Sequence, residues 1–116
     1  NNDNRVVLKL PSLLAPVKAA ILPLTKKDGM PEKAKEIMKS IQVDFNCQYE
    51  EKDSIGKRYR RQDAIGTPFC ITVDHQTLQD NTITLRDRDS MNQERIDVKK
   101  LHSIIYDKIN IAKYLV

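Results

Sequence analysis

The sequence predicts an α/β domain built on a mixed five-stranded sheet flanked by three helices. Short apolar runs alternate with amphipathic stretches of helical period as far as Val73. That is the pattern of parallel strands covered on both faces and joined by helical crossovers. From Thr82 the pattern changes to polar–apolar alternation, Thr82-Ile83-Thr84-Leu85-Arg86, the mark of a half-exposed strand in a hairpin. At 116 residues, 40% hydrophobic and 31% charged, the chain fits one folded domain rather than a disordered segment.

The elements follow in order. Residues 1–16 read as a polar tail and lead-in linker, punctuated by Pro11 and Pro16, with the domain proper over 17–116. Lys18 to Leu24 is the first strand and Lys26 to Gly29 a turn, after which Pro31 suits the first position of a helix. Ala34, Ile37, Met38 and Ile41 recur at i, i+3, i+4 and i+7, which makes one buried stripe. Phe45 to Tyr49 is the second strand, followed by an acidic loop at Glu50-Glu51.

Ser54 caps a second helix, Gly66 ends it, and Pro68 prevents it from continuing. Ile55, Tyr59 and Gln62, with Ala64 or Ile65 nearby, are its expected inward face, leaving Lys57, Arg58, Arg60 and Arg61 on the solvent arc. Phe69 to Val73 is the most continuous apolar run and so the expected central strand. Two helical crossovers make the first three strands parallel, with right-handed connections. Thr82 to Arg86 then returns through a turn at Asp87 to Ser90 and a strand at Met91 to Ile96. Asp97 caps the last helix, whose stripe is Val98, Leu101, Ile104 or Ile105, Ile109 and Ala112; residues 110–116 continue it or fray.

Charge is the most localised feature. Lys52 to Arg61 contains five cations and one carboxylate, Asp53, and so carries the whole formal net charge of +4. A basic cluster on a balanced background points to one polyanion-facing surface. Catalysis has little support. Gly29 is the only glycine in the turn that follows the first strand, too few for a phosphate cradle, and the acidic cluster of a phospho-acceptor site is missing there. His75 and His102 have no cysteine or carboxylate at metal-ligand spacing, so no metal site and no catalytic residue are expected. Cys47 and Cys70 lie in apolar runs and read as buried free thiols of a reducing compartment. No apolar run is long enough to span a membrane, and the polar start lacks the pattern of a secretory signal. The missing initiator Met favours an excised fragment.

Binding is the better-supported class. The helix from Ser54 offers cations for phosphates. The hairpin offers Arg86, Asp87, Arg88 and Asp89, with Gln93, Glu94 and Arg95 opposite, as donors and acceptors for base edges. Taken singly, a charged helix face is commonly just solvated and Arg-Asp alternation at a turn commonly makes local ion pairs. Together they favour nucleic acid. Tyr49 and Tyr59 are the stacking candidates, with arginine planes as substitutes.

The stretch Ser54-Ile55-Gly56-Lys57-Arg58-Tyr59-Arg60-Arg61-Gln62-Asp63-Ala64-Ile65-Gly66-Thr67-Pro68-Phe69 closely resembles the C-terminal anticodon-binding domain of the homodimeric, class II glycyl-tRNA synthetases. So do Thr72-Val73-Asp74 and Thr82-Ile83-Thr84-Leu85-Arg86-Asp87-Arg88-Asp89-Ser90-Met91, with Gln93 and Arg95 beyond, and upstream Leu14-Ala15-Pro16 and Pro23-Leu24. The likeness covers about Arg5 to Ile105. One departure is Asp53, where a small residue such as glycine is expected before Ser-Ile-Gly, and it bears on the local loop geometry.

The resemblance implies a mixed five-stranded sheet with three helices, in a cytoplasmic parent that is a homodimer. That parent joins glycine to its tRNA with ATP and Mg2+. The class's catalytic motifs are not in this sequence, so the fragment itself is expected to use no cofactor and to hold the tRNA(Gly) anticodon stem–loop while a separate catalytic domain works. Residues 1–16 would then be the linker from that domain. A non-catalytic relative serving as a protein-interaction or polymerase-accessory module is the alternative.

Glycine anticodons carry cytosine at their second and third positions. Reading cytosine takes an acceptor for its amino group and an arginine or amide for its acceptors. The expectation is therefore that Arg86, Asp87, Arg88, Asp89, Gln93, Glu94 and Arg95 read bases while Lys57, Arg58, Arg60 and Arg61 hold phosphates, the two sets bordering one groove.

Overall fold

The computed structural model describes residues 15–114, with side chains as far as residue 109. Its elements run β1 (Ala19–Pro23), α1 (Met30–Ile41), β2 (Cys47–Tyr49), α2 (Ile55–Ile65), β3 (Phe69–Val73), α3 (His75–Asp80), β4 (Thr82–Asp87), β5 (Gln93–Asp97) and α4 (Val98–Tyr114). Five strands form one sheet in the order β2-β1-β3-β4-β5. β1 pairs in parallel with β2 and β3, and the β4–β5 hairpin adds antiparallel to β3. The sheet is mixed and β3 is central, as the most continuous apolar run, 69–73, predicts. Apart from Ala15 and Pro16, the expected tail and linker lie outside the described residues.

The helix count differs from expectation: among the described residues there are four, not three. α3 is a single short helix between β3 and β4. It exists because Asp74 and Thr77 form a reciprocal cap. The Asp74 carboxylate accepts from the Thr77 N–H at 3.1 Å, and Thr77 Oγ1 accepts from the Asp74 N–H at 3.0 Å. Six mostly polar residues give no hydrophobic period to read.

Sheet alternation separates two apolar layers. One face of the sheet, with Ala19, Ile21, Phe69, Ile71, Val73, Ile83 and Leu85, packs against Ala34, Ile37 and Ile41 of α1 and Leu101, Ile105 and Ile109 of α4. The other face offers Ala20, Leu22 and Cys70, on which α2 rests through half-buried Ile55 and Tyr59. This second layer is small. α2 covers β1 and β3 and, at Arg86, the end of β4, but leaves Thr82 and Thr84 of β4 half-buried and Gln93 and Arg95 of β5 exposed on the same face. None of the helices among the described residues is long and apolar enough to cross a membrane.

Candidate nucleic-acid interface

α2 is delimited as expected. Ser54 Oγ accepts from the Lys57 N–H at 3.3 Å, and Gly66 closes the helix in the left-handed conformation at φ 86°. Ile55, Tyr59 and Gln62 face inward as expected, but the rest of the inward face differs from expectation. The buried residues are Arg58, Gln62 and Asp63, while Ala64 and Ile65 are exposed. Arg58, placed on the solvent arc by the sequence reading, is only 2% exposed. Its Nη1 donates to Pro23 O at 2.6 Å and Glu50 O at 3.1 Å, and its Nη2 to Leu24 O at 3.3 Å. These carbonyls cap the ends of β1 and β2, where sheet bonding stops and acceptors would otherwise be orphaned. Burial lowers the Arg58 pKa from its ordinary value. Arg58 is therefore a staple and not a phosphate contact.

Arg61 is exposed but committed. It pairs with Glu50 and, at 2.8 Å, with Asp53, and its Nη2 donates to Lys52 O at 3.1 Å. The hydrogen bond with Arg61 lowers the Asp53 pKa and raises that of Arg61. Asp53 itself sits at φ 68°, the left-handed region. That explains the sequence departure: glycine adopts this conformation at less cost, and aspartate tolerates it better than most residues. Among the described residues, Lys57 and Arg60 are the exposed α2 cations with no ion pair in the structure.

The hairpin arginines are also corrected. Arg86 and Arg88 were expected to face bases, yet they are 5% and 4% exposed. β4 alternation turns Ile83 and Leu85 into the main core and Arg86 toward α2. There it meets Asp63 through both Nη atoms, at 3.1 and 3.2 Å, with its guanidinium 4.9 Å from the Tyr59 ring centre. Burial is the largest single influence and works against the charge, but the hydrogen bonds and negative charge of Asp63, with smaller contributions from Cys70 and Tyr59, together outweigh it and the Arg86 pKa is raised. Arg88 donates to Gly66 O at 2.7 Å and forks onto Asp89 at 2.8 and 3.1 Å. The turn is thereby pinned to the C-terminal end of α2, at the opposite end of the helix from Lys57.

The remaining hairpin residues divide between the two sheet faces. Pairing sets Thr84 opposite Arg95 and Arg86 opposite Gln93, so all four share the α2 face. Asp87 and Glu94 point the other way, lining a shallow hollow of about 190 Å³ with Leu85, Ser90, Asn92 and Lys108. The seven expected base readers do not form one patch. What α2 leaves uncovered is a strip walled by Gly56 and Arg60, which share a helix flank with Asp63. The Arg86–Asp63 pair forms its floor, and Thr82, Thr84, Gln93 and Arg95 line its outer side. Arg95 reaches back across β4 to Asp74 at 2.6 Å. Such a strip offers hydroxyl, amide and guanidinium groups over a neutralised floor.

A family model described as "Anticodon binding domain" matches residues 18–108. The chain belongs to the anticodon binding domain family. It is 54% identical over 107 residues to a glycine–tRNA ligase of Clostridium tetani and 55% over 103 residues to one of Clostridium perfringens. A glycine–tRNA ligase of Chlorobaculum tepidum is 52% identical over 109 residues. These alignments take in 92%, 89% and 94% of this chain but 23%, 22% and 23% of the relatives, so the chain spans about a quarter of their length. The crystal structure of the RNA binding domain of threonyl-tRNA synthetase from Cryptosporidium parvum Iowa II shares the fold, with a TM-score of 0.78 at 22% identity. That match covers 86% of this chain and 25% of the other.

In this anticodon binding domain the sequence reading missed Thr84 and Asp74 as parts of the strip. Thr84 was findable: it has the same even phase on β4 as Arg86. Asp74 was not, because its link to Arg95 spans 21 residues. No group of three or more His, Cys, Asp or Glu among the described residues could hold a metal ion. Cys47 and Cys70 are free thiols held in opposite apolar layers.

Proposed function

We propose that this chain is the anticodon-binding part of a glycine–tRNA ligase. It would hold the anticodon stem–loop of tRNA(Gly) while the remainder of a longer parent carries out ATP- and Mg2+-dependent aminoacylation. The similarity to glycine–tRNA ligases over nine-tenths of the chain supports this reading. Free cysteines suit a reducing, cytoplasmic setting, and the resemblance implies a homodimeric parent. One structural observation carries the assignment of the contact surface: Thr82, Thr84, Gln93 and Arg95 on the α2 face of β4 and β5 stay accessible beside the unpaired cation Arg60.

In this reading Lys57 and Arg60 hold phosphates, Thr84 and Gln93 present a hydroxyl and an amide to the two anticodon cytosines, and Arg95 lies beside them. Arg86 supports them from below with its charge already matched. The test is filter binding of a tRNA(Gly) transcript against one with its second and third anticodon bases replaced. The replaced transcript should bind more weakly, each lost base contact being worth about 1–3 kcal/mol. Equal binding of the two would remove the anticodon from the reading.

A further inference from the structure

We propose that Arg95, laid over β4 by Asp74, is a stacking platform for one unstacked base of a single-stranded RNA loop. The inference rests on the RNA-binding reading above and deepens it. Arg95 Nη1 and Nη2 donate to the two Asp74 oxygens at 3.1 and 2.6 Å. Nη1 also donates to Thr82 O and to Thr82 Oγ1, each at 3.3 Å. Guanidinium N–H bonds lie in the plane of the group, so all these contacts engage its edge. The flat faces take no part in them, and 31% of the side chain reaches solvent.

The anchoring carboxylate is itself fixed. Asp74 caps α3, accepting from the Thr77 N–H and from Thr77 Oγ1, both at 3.1 Å. Arg95 is thus oriented before any ligand arrives, and its rotamer freedom is already spent. Loop RNA is read by stacking on aromatic rings or on arginine planes. On this face of the sheet the ring is that of Tyr59, and it is engaged: the Arg86 guanidinium lies against it and its hydroxyl is hydrogen-bonded to Thr72 Oγ1 at 2.6 Å. Arg95 supplies the flat surface that Tyr59 does not. Thr84 and Gln93 stand beside it on the same face, with a hydroxyl and an amide for the base edge.

The test uses the full chain and a glycine anticodon stem–loop RNA carrying 2-aminopurine at one loop position. Arg95→Lys keeps the charge but has no plane. It should lose affinity nearly as far as Arg95→Ala, roughly tenfold, with little change in salt dependence and with brighter 2-aminopurine emission in the bound state. Asp74→Asn keeps an effective cap but weakens the fork, so its affinity should fall part of the way. Circular dichroism at the assay temperature shows whether each variant remains folded.

If Arg95→Lys binds like the unaltered chain while Arg95→Ala does not, Arg95 is a point charge and the stacking proposal is overturned. If Arg95→Ala also binds normally, Arg95 does not touch the RNA at all. Should the unaltered chain bind the stem–loop no better than a plain duplex, with Lys57→Ala changing nothing, the RNA-loop reading itself falls and takes this inference with it.

Discussion

Arg86 and Asp63 face each other through two parallel hydrogen bonds, at 3.1 and 3.2 Å, with side chains only 6% and 1% exposed. The pair joins β4 to α2 and makes the floor of the open strip. It places a cation beneath the proposed RNA surface without leaving that charge available to a phosphate.

Breaking this pair should therefore read out first as lost stability. Arg86→Ala or Asp63→Ala strands a buried charge and is expected to cost about 3–5 kcal/mol in urea denaturation. Replacing both together by apolar residues of similar volume, Arg86→Met with Asp63→Leu, should recover most of the loss. A double variant as unstable as the worse single one would show that the pair does more than neutralise itself.

Arg58 and Lys57 are neighbours with opposite expected behaviour. Arg58→Ala removes the donors to three strand-end carbonyls and should destabilise the fold by about 3 kcal/mol. Arg58→Lys should recover little, since an ammonium cannot fork to the same acceptors. Lys57→Ala should leave the unfolding midpoint in place yet weaken RNA of any sequence, lowering the slope of log affinity against log salt by about 0.7–1. Identical behaviour of the two variants would rule out the division between staple and phosphate contact.

Asp74 gives a pH signature. Its hydrogen bond with Arg95 is the largest influence on it and lowers its pKa below the ordinary aspartate value, while the arginine stays charged. A carboxylate with a depressed folded-state pKa adds stability that is complete above the unfolded value of about 3.9 and is lost as pH falls through the folded one. Stability measured from pH 7 downward should therefore decline below about pH 4, and Asp74→Asn should show a shallower decline. An unchanged acid limb in the variant would mean the pair adds nothing to folding.

Both thiols should be sluggish in the folded chain. Burial pushes Cys47 up to about 11 and Cys70 up to about 12, so little thiolate exists near neutral pH. Alkylation at pH 8 should be slow in buffer and fast in denaturant, with half-buried Cys47 ahead of Cys70. Rapid native-state labelling of Cys70 would contradict its place under α2.

Much of the architecture was legible in the residues alone. Apolar runs such as Phe69–Val73, the i, i+3, i+4, i+7 stripe of α1, and the Ser54 and Gly66 signals around α2 act through bonds and contacts a few residues apart. Local periodicity determines local structure, and it was enough to predict a mixed five-stranded sheet with residues 69–73 at its centre, though not the order of the other strands. It also located the basic helix and the hairpin. What it could not settle was which cations remain available, because charge in a sequence says nothing about a side chain's partner. Arg58 turned inward to satisfy carbonyls 34 and 35 residues away, and Arg86 inward to Asp63, 23 residues away. Only the assembled sheet brings those groups within hydrogen-bonding distance. Desolvation then makes pairing compulsory, so tertiary structure alone leaves Lys57 and Arg60 without an ion pair and holds Arg95 across β4.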